Sequence, residues 1–180
     1  MTIPPDIAII IPAAGASVRM GTPKQCLPWG KTTLLGHAVT QALQSEAQGV
    51  FVVLGAYEAM LRPQLVSYPV TLLKNEDWKN GLGSSIACGV RHLLSTHPLV
   101  EGVLIMLADQ PLIDYSYLNV LIRHFRADSN KLITTSYGKK SGVPAVFGKA
   151  YFKALSDLQD DYGARQLIEA QKKHVVALNP

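Results

Sequence analysis

Ile7-Ala-Ile-Ile-Ile11-Pro-Ala-Ala-Gly15-Ala-Ser-Val-Arg19-Met-Gly21-Thr-Pro-Lys24 joins a short apolar run to a loop of small residues that ends in two cations. The run Ile7–Ile11 is apolar without alternation, the pattern of a strand covered on both faces. Glycine and alanine then let backbone N–H groups approach anionic oxygens closely, as in a nest. Arg19 adds a planar fork of donors and Lys24 a point charge. A buried strand that opens into such a loop is suited to holding a polyphosphate.

Further apolar runs follow at Val50–Leu54, Val70–Leu73, Val103–Leu107, Leu132–Thr135, Val143–Phe147 and Val175–Leu178. Segments with helical spacing lie between them. Leu34, Leu35, Ala38, Val39, Ala42 and Leu43 form one stripe; Ile86, Val90, Leu93 and Leu94 a second. Tyr117, Leu118, Leu121, Ile122 and Phe125 form a third, and Ala164, Leu167, Ile168 and Gln171 a weaker fourth. The alternation predicts an α/β chain: a Rossmann-like three-layer domain with a mostly parallel sheet and helices on both faces. No internal repeat, low-complexity tract or linker divides the 180 residues, so a single domain over 1–180 is expected. The patch Tyr137-Gly-Lys-Lys-Ser-Gly142 is expected to be a mobile loop.

Composition narrows the function classes. The chain is 48% hydrophobic and 17% charged, which is a globular composition. Its net charge of +4 suits an anionic small molecule. Lys139-Lys140 and Lys172-Lys173 are isolated pairs, read as solvated surface, so no nucleic-acid partner is expected. Cys26 and Cys88 lie far apart without a C-x-x-C and read as free thiols. The N-terminus lacks a signal-peptide pattern and no apolar run reaches spanning length, so a cytoplasmic protein without a membrane partner is expected.

In parallel α/β sheets, ligands sit beyond the carboxyl ends of the strands. Besides the opening loop, two polar clusters fall there. Asp109 follows the apolar run Val103–Leu107 and precedes Gln110-Pro111. A carboxylate in that place either caps a turn or helix or holds Mg²⁺ that bridges phosphate oxygens; beside a basic phosphate loop the metal is favoured. Asn75 through Ser85 is glycine-rich and opens a helix, with Ser84 or Ser85 as its cap. N–H groups around Gly81, Ser84 and Ser85 could meet a nucleobase, ribose or phosphate. Three motif-like runs fail on their spacing. Gly81-Leu-Gly-Ser-Ser-Ile86 lacks the third glycine of a dinucleotide fingerprint. Gly30-Lys31-Thr32 has Gln25 and Pro28 where a P-loop needs its first glycine and an open loop. Gly83-Ser-Ser85 has Ala87 where a nucleophile elbow needs glycine. The five histidines show no zinc spacing, and His92 and His97 are expected to face solvent.

The opening loop, Gly81-Leu-Gly-Ser-Ser85, Leu107-Ala-Asp-Gln-Pro111, Gly142-Val-Pro-Ala-Val-Phe147 and Asp161-Tyr-Gly-Ala-Arg165 together resemble the molybdenum-cofactor nucleotidyltransferase family, in its molybdopterin cytidylyltransferase branch. The resemblance implies a nucleotide-diphospho-sugar transferase-like fold and Mg²⁺-dependent transfer of CMP from CTP to the phosphate of molybdopterin, with release of pyrophosphate. By motif position it implies nucleotide contacts from Ala13, Ala14, Gly15, Asn75, Gly81, Ser84 and Ser85, a triphosphate grip by Arg19 and Lys24, and Mg²⁺ on Asp109. Ala14 stands where the GTP-using branch tends to carry a second glycine, which favours CTP. Docking to a molybdoenzyme or its chaperone is the implied protein partner. Pro12 stands where the family more often has leucine, and Val143 where the cytidylyltransferase branch often has histidine. A pterin or metal role of that histidine therefore does not carry over. Relatives usually continue into an Asp-Thr-Pro-containing tail, which is expected to be absent beyond Pro180. The competing expectations are a nucleotidyltransferase for a sugar or polyol phosphate, and a non-catalytic nucleotide-binding adaptor for the cofactor.

Overall fold

The computed structural model describes residues 6–16 and 22–180. Seven strands form one sheet: β1 (Asp6–Ala13), β4 (Gly49–Leu54), β5 (Thr71–Lys74), β6 (Val100–Ile105), β7 (Leu132–Tyr137), β8 (Lys140–Gly148) and β9 (Val175–Leu178). Two-residue strands β2 (Pro28–Trp29) and β3 (Thr32–Thr33) make a separate small hairpin. The order in the large sheet is β5-β4-β1-β6-β8-β7-β9. Strands β5, β4, β1 and β6 are parallel, β8 is antiparallel to both β6 and β7, and β9 is parallel to β7. One reversed strand in seven leaves the sheet mostly parallel, as the alternation of runs predicts.

The continuous apolar runs have a direct packing cause. Along β1, Ile7, Ile9 and Ile11 enter one core while Ala8 and Ile10 enter another on the opposite face. On β4, Val50, Val52 and Leu54 face the first core, and Phe51 and Val53 the second. Each such side chain, removed from water on its own face, contributes about 1.5–3 kcal/mol. The first core is closed by α1 (Leu34–Gln44), α2 (Glu58–Leu65) and α4 (Tyr115–Ala127). The second is closed by α3 (Leu82–Thr96), α5 (Phe152–Ser156) and α6 (Arg165–Ala170). The helices α2 and α5 carry no stripe singled out in the sequence, because each is short and contributes only a pair of core residues: Leu61 with Leu65, and Phe152 with Leu155.

Local signals set the helix starts. The Thr33 hydroxyl accepts from the Gly36 N–H at 3.1 Å and caps α1. The Asp114 carboxylate accepts from the Tyr117 N–H at 2.9 Å and caps α4. The C-terminal strand β9 is anchored at its end by the Tyr117 hydroxyl, 3.0 Å from the Leu178 carbonyl.

Three local expectations are corrected. The patch Tyr137–Gly142 is not an irregular loop: Tyr137 pairs with Lys140 and Ser136 with Ser141, leaving a two-residue turn. Gly138 takes φ +71° there, a conformation that glycine adopts without steric cost. Leu94 does not join the buried stripe of α3 and is 47% exposed. His97 is exposed, but His92 is half-buried, and both rings lie against Phe51. The two cysteines are free, as the spacing predicts. Among the described residues no helix is long and apolar enough to cross a membrane.

Candidate functional site

The parallel strands β5, β4, β1 and β6 end at one edge of the sheet, so the loops that follow them are neighbours whatever their distance in sequence. After β1, the chain runs through Ala14, Gly15 and Ala16, then re-emerges at Thr22 into a short 3-10 helix, Lys24–Cys26. The loop's carbonyls are turned into the protein. Those of Ala13 and Gly15 accept from Gln25 Nε2 at 3.2 and 3.3 Å. That of Ala14 accepts from the Ala56 N–H at 3.0 Å, and that of Ala16 from the Tyr57 hydroxyl at 2.8 Å. Holding the carbonyls this way presents the N–H side of the turn outward, which is what an anion requires.

Lys24 and Asp109 converge. Lys24 Nζ lies 4.0 Å from Asp109 Oδ2, with each side chain about half exposed. Asp109 sits in the turn after β6 and does not cap α4, since Asp114 does that. The turn or helix-cap alternative for Asp109 therefore loses its helix-cap arm. Both residues line a cavity of about 300 Å³, bounded also by Gly15, Gln25, Leu82 and Ala108. Arg19 lies outside the described residues.

A second cavity, of about 360 Å³, adjoins the first across Pro12, Gly15 and Leu82. Its walls include Ala14, Trp78, Lys79, Gly81, Ser85 and Asp161. Gly81 there has φ +92°, and a Cβ on it would fall 2.9 Å from the Asp160 carbonyl oxygen and carbon. Gly81→Ala is therefore expected to cost roughly 1–3 kcal/mol of stability, from the strained backbone alone. Urea unfolding measures it; a variant as stable as the parent would refute the steric argument.

Ser84 and Ser85 do not cap α3. The helix starts at Leu82, and both serines lie inside its first turns, 4% and 3% exposed. Asn75, 3% exposed, donates through Nδ2 to Ser84 Oγ at 2.9 Å and Ser85 Oγ at 3.1 Å, while its Oδ1 accepts from the Asp77 N–H at 3.0 Å. Ser84 Oγ lies 3.0 Å from the Asp77 carbonyl and 2.9 Å from that of Gly81. Asn75 and Ser84 are thus behind the wall and set its shape, whereas Gly81 and Ser85 line the cavity. Ala13 is also behind the wall, 3% exposed; Ala14 and Gly15 line it.

Sequence reasoning passed over Gln25, Tyr57, Trp78 and Asp161. Gln25 is 8% exposed, and its Oε1 has no partner among the described residues, while the residue borders the Lys24–Asp109 cavity. Its only sequence signal was its place beside Lys24. Asp161 had a better one, since it opens the Asp161–Arg165 patch that carries the family resemblance.

As a cation site the arrangement offers one carboxylate. Among the described residues no group of three or more His, Cys, Asp or Glu side chains could hold a metal. That donor set fits Mg²⁺, which typically takes one or two carboxylates and fills its remaining positions with substrate phosphates and water.

Residues 9–175 match the family model described as the MobA-like NTP transferase domain. The purine catabolism protein PucB of Bacillus subtilis is 29% identical over 165 residues, covering 88% of this chain and 78% of PucB. The bifunctional protein GlmU of Pseudomonas putida is 25% identical over 175 residues; the match takes in 96% of this chain but spans only 37% of GlmU's length. Among solved structures, Rv0371c from Mycobacterium tuberculosis superposes with a TM-score of 0.84 at 27% identity, covering 99% of this chain and 91% of that one. A structure of Rv0371c in complex with manganese has a TM-score of 0.79 at 26% identity, covering 97% and 89%. The fold, the glycine loop after β1 and the extent of the family match lead to one conclusion: this chain belongs to the MobA-like NTP transferase domain family and is a nucleotidyltransferase.

Proposed function

We propose that the protein transfers CMP from CTP to the phosphate of molybdopterin and releases pyrophosphate, with Mg²⁺ as its metal. The observation that carries this reading is the meeting of Lys24 and Asp109 at 4.0 Å over a cavity bounded by the glycine loop. A cation beside a carboxylate that can hold a divalent ion suits a triphosphate. The manganese complex of Rv0371c supports a divalent ion in this family fold. The Ala14 spelling of the loop favours CTP over GTP.

The nucleoside fits the cavity walled by Ala14, Trp78, Lys79 and Ser85, and its phosphates the adjoining one. An acceptor phosphate oxygen attacks the α-phosphorus in line. The new O–P bond forms as the bond from the α-phosphorus to its bridging oxygen breaks, and pyrophosphate carries off the electron pair. A phosphate is already an anionic nucleophile at neutral pH, so no covalent enzyme intermediate is needed. The work of this chain is positioning and charge stabilisation. Backbone N–H groups around Gly15 and the Lys24 ammonium hold the phosphate oxygens, and Arg19 is assigned the same role from its place in the motif. Asp109 would hold Mg²⁺, which when bound supplies Lewis-acid neutralisation of phosphate charge. Docking to a molybdoenzyme or its chaperone belongs to the same reading as the destination of the product.

Pyrophosphate release tests the reading, measured with each of four nucleoside triphosphates against molybdopterin, sugar phosphates and polyol phosphates. Release with CTP and molybdopterin, dependent on Mg²⁺, is the expected result. Release only with a sugar or polyol phosphate would overturn the acceptor, and binding of nucleotide without release under any pairing would favour the adaptor.

A further inference from the structure

Beyond the phosphate cavity, two more concavities follow in a row, each sharing walls with the one before. The cavity at Lys24 and Asp109 shares Leu82 and Leu107 with a slot of about 270 Å³. That slot is mostly apolar, walled by Ile86, Ile105, Val143 and Tyr162. It shares Ser141 and Ile168 with a third basin of about 480 Å³, whose rim carries Lys139, Lys140 and Lys172.

Three of the four lysines in the two pairs that look isolated in the sequence line this one basin. The two-residue turn between β7 and β8 presents Lys139, β8 begins at Lys140, and the chain after α6 delivers Lys172 to the same basin. The only acid on this rim, Glu169, is held by Arg165 at 2.9 Å. Among the described residues none of these three lysines is in an ion pair. Three like charges around one concavity repel one another, and a walled basin focuses their field more than a flat surface does. Solvated lysines alone would explain the charges but not their convergence at the end of an apolar slot that starts at the reacting phosphates.

We infer that this basin is an anion subsite for the acceptor. The acceptor is then an elongated molecule: a phosphate at the Lys24–Asp109 end, a flat apolar body in the slot, and a second anionic group held by Lys139, Lys140 and Lys172. This assignment rests on the reaction proposed above, because that reaction places the acceptor's phosphate at the near end of the row. The far group is recognised by charge, so its class is a carboxylate or another oxyanion.

The test compares two fluorescent flat probes, pterin-6-carboxylate and the uncharged 6-hydroxymethylpterin, on the full chain and on the Lys139→Ala/Lys140→Ala/Lys172→Ala variant. Calorimetric binding of Mg·CTP is measured on both proteins in parallel, and also reports that the variant is folded. The parent is expected to bind the carboxylate about tenfold more tightly than the alcohol, in line with about 1.4 kcal/mol per decade in Kd. The variant is expected to lose that preference and keep its Mg·CTP affinity. No preference in the parent, or the same preference in the variant, overturns the subsite. A protein that keeps a lysine-dependent preference but never binds Mg·CTP overturns the proposed reaction instead, so the two failures are told apart.

Discussion

Lys24→Ala is expected to lower the turnover number for pyrophosphate release by about two or more orders of magnitude, the scale for losing one preorganised electrostatic stabiliser. The lysine sits at the first position of the short helix Lys24–Cys26, directly after the loop that follows β1. Its neighbour Gln25 does the structural work there, buried and bonded to the Ala13 and Gly15 carbonyls, so the loop keeps its anchor when Lys24 is shortened. Lys24 itself is half exposed and contributes little to the core. In the proposed reaction its charge would act on oxygens that become more negative as the bond to pyrophosphate breaks, so the loss is expected to fall on turnover more than on nucleotide affinity. Lys24→Arg keeps the charge without the compact ammonium and is expected to fall between the two. Steady-state kinetics with saturating CTP make the measurement, and near-normal release by Lys24→Ala would remove the lysine from the chemistry.

Asp109→Asn is expected to move the midpoint of the Mg²⁺ titration upward by roughly tenfold or more, since it removes the one carboxylate offered to a hard cation there. The substitution preserves volume, and the fold does not depend on the charge. Asp114 rather than Asp109 caps α4, and Asp109 is half exposed in its turn. A stability measurement on this variant should therefore match the parent while the metal dependence changes. The substitution also leaves the Lys24 ammonium without its neighbouring carboxylate, which strengthens its pull on phosphate and sets the expected pattern: weaker metal response with nucleotide binding largely kept. An unchanged Mg²⁺ titration would end the assignment of Asp109.

The layers of the fold were legible because burial writes itself locally. Each of the seven apolar runs became a strand of the large sheet, and the central strands, such as β1 after Asp6 and β4, are apolar throughout because they are covered on both faces. The parts that were misread share one property: their local pattern has two physical solutions. Tyr137–Gly142 is glycine- and lysine-rich both as a loose loop and as a tight hairpin, and the partner strand decides between them. Ser84 and Ser85 follow glycine as helix caps do, yet Gly81 is the N-cap of a helix that starts at Leu82, and Asn75 donates to both serine hydroxyls from inside. Val143 walls the apolar slot, a placement that fits its apolar side chain.

For this protein, the sequence alone determined which segments are buried and which loop can receive an anion, because apolar periodicity and small-residue spacing act over a few neighbouring residues. Only the tertiary structure decided which distant charges meet. Lys24 reaches Asp109 because β1 and β6 lie side by side and end at one edge, although β2, β3, β4 and β5 with α1, α2 and α3 come between β1 and β6 along the chain. Lys139, Lys140 and Lys172 line one basin because α6, just before Lys172, packs against β8, which begins at Lys140. Strand order is a property of the whole core, set by how every apolar face is covered at once, and no local window of residues carries it.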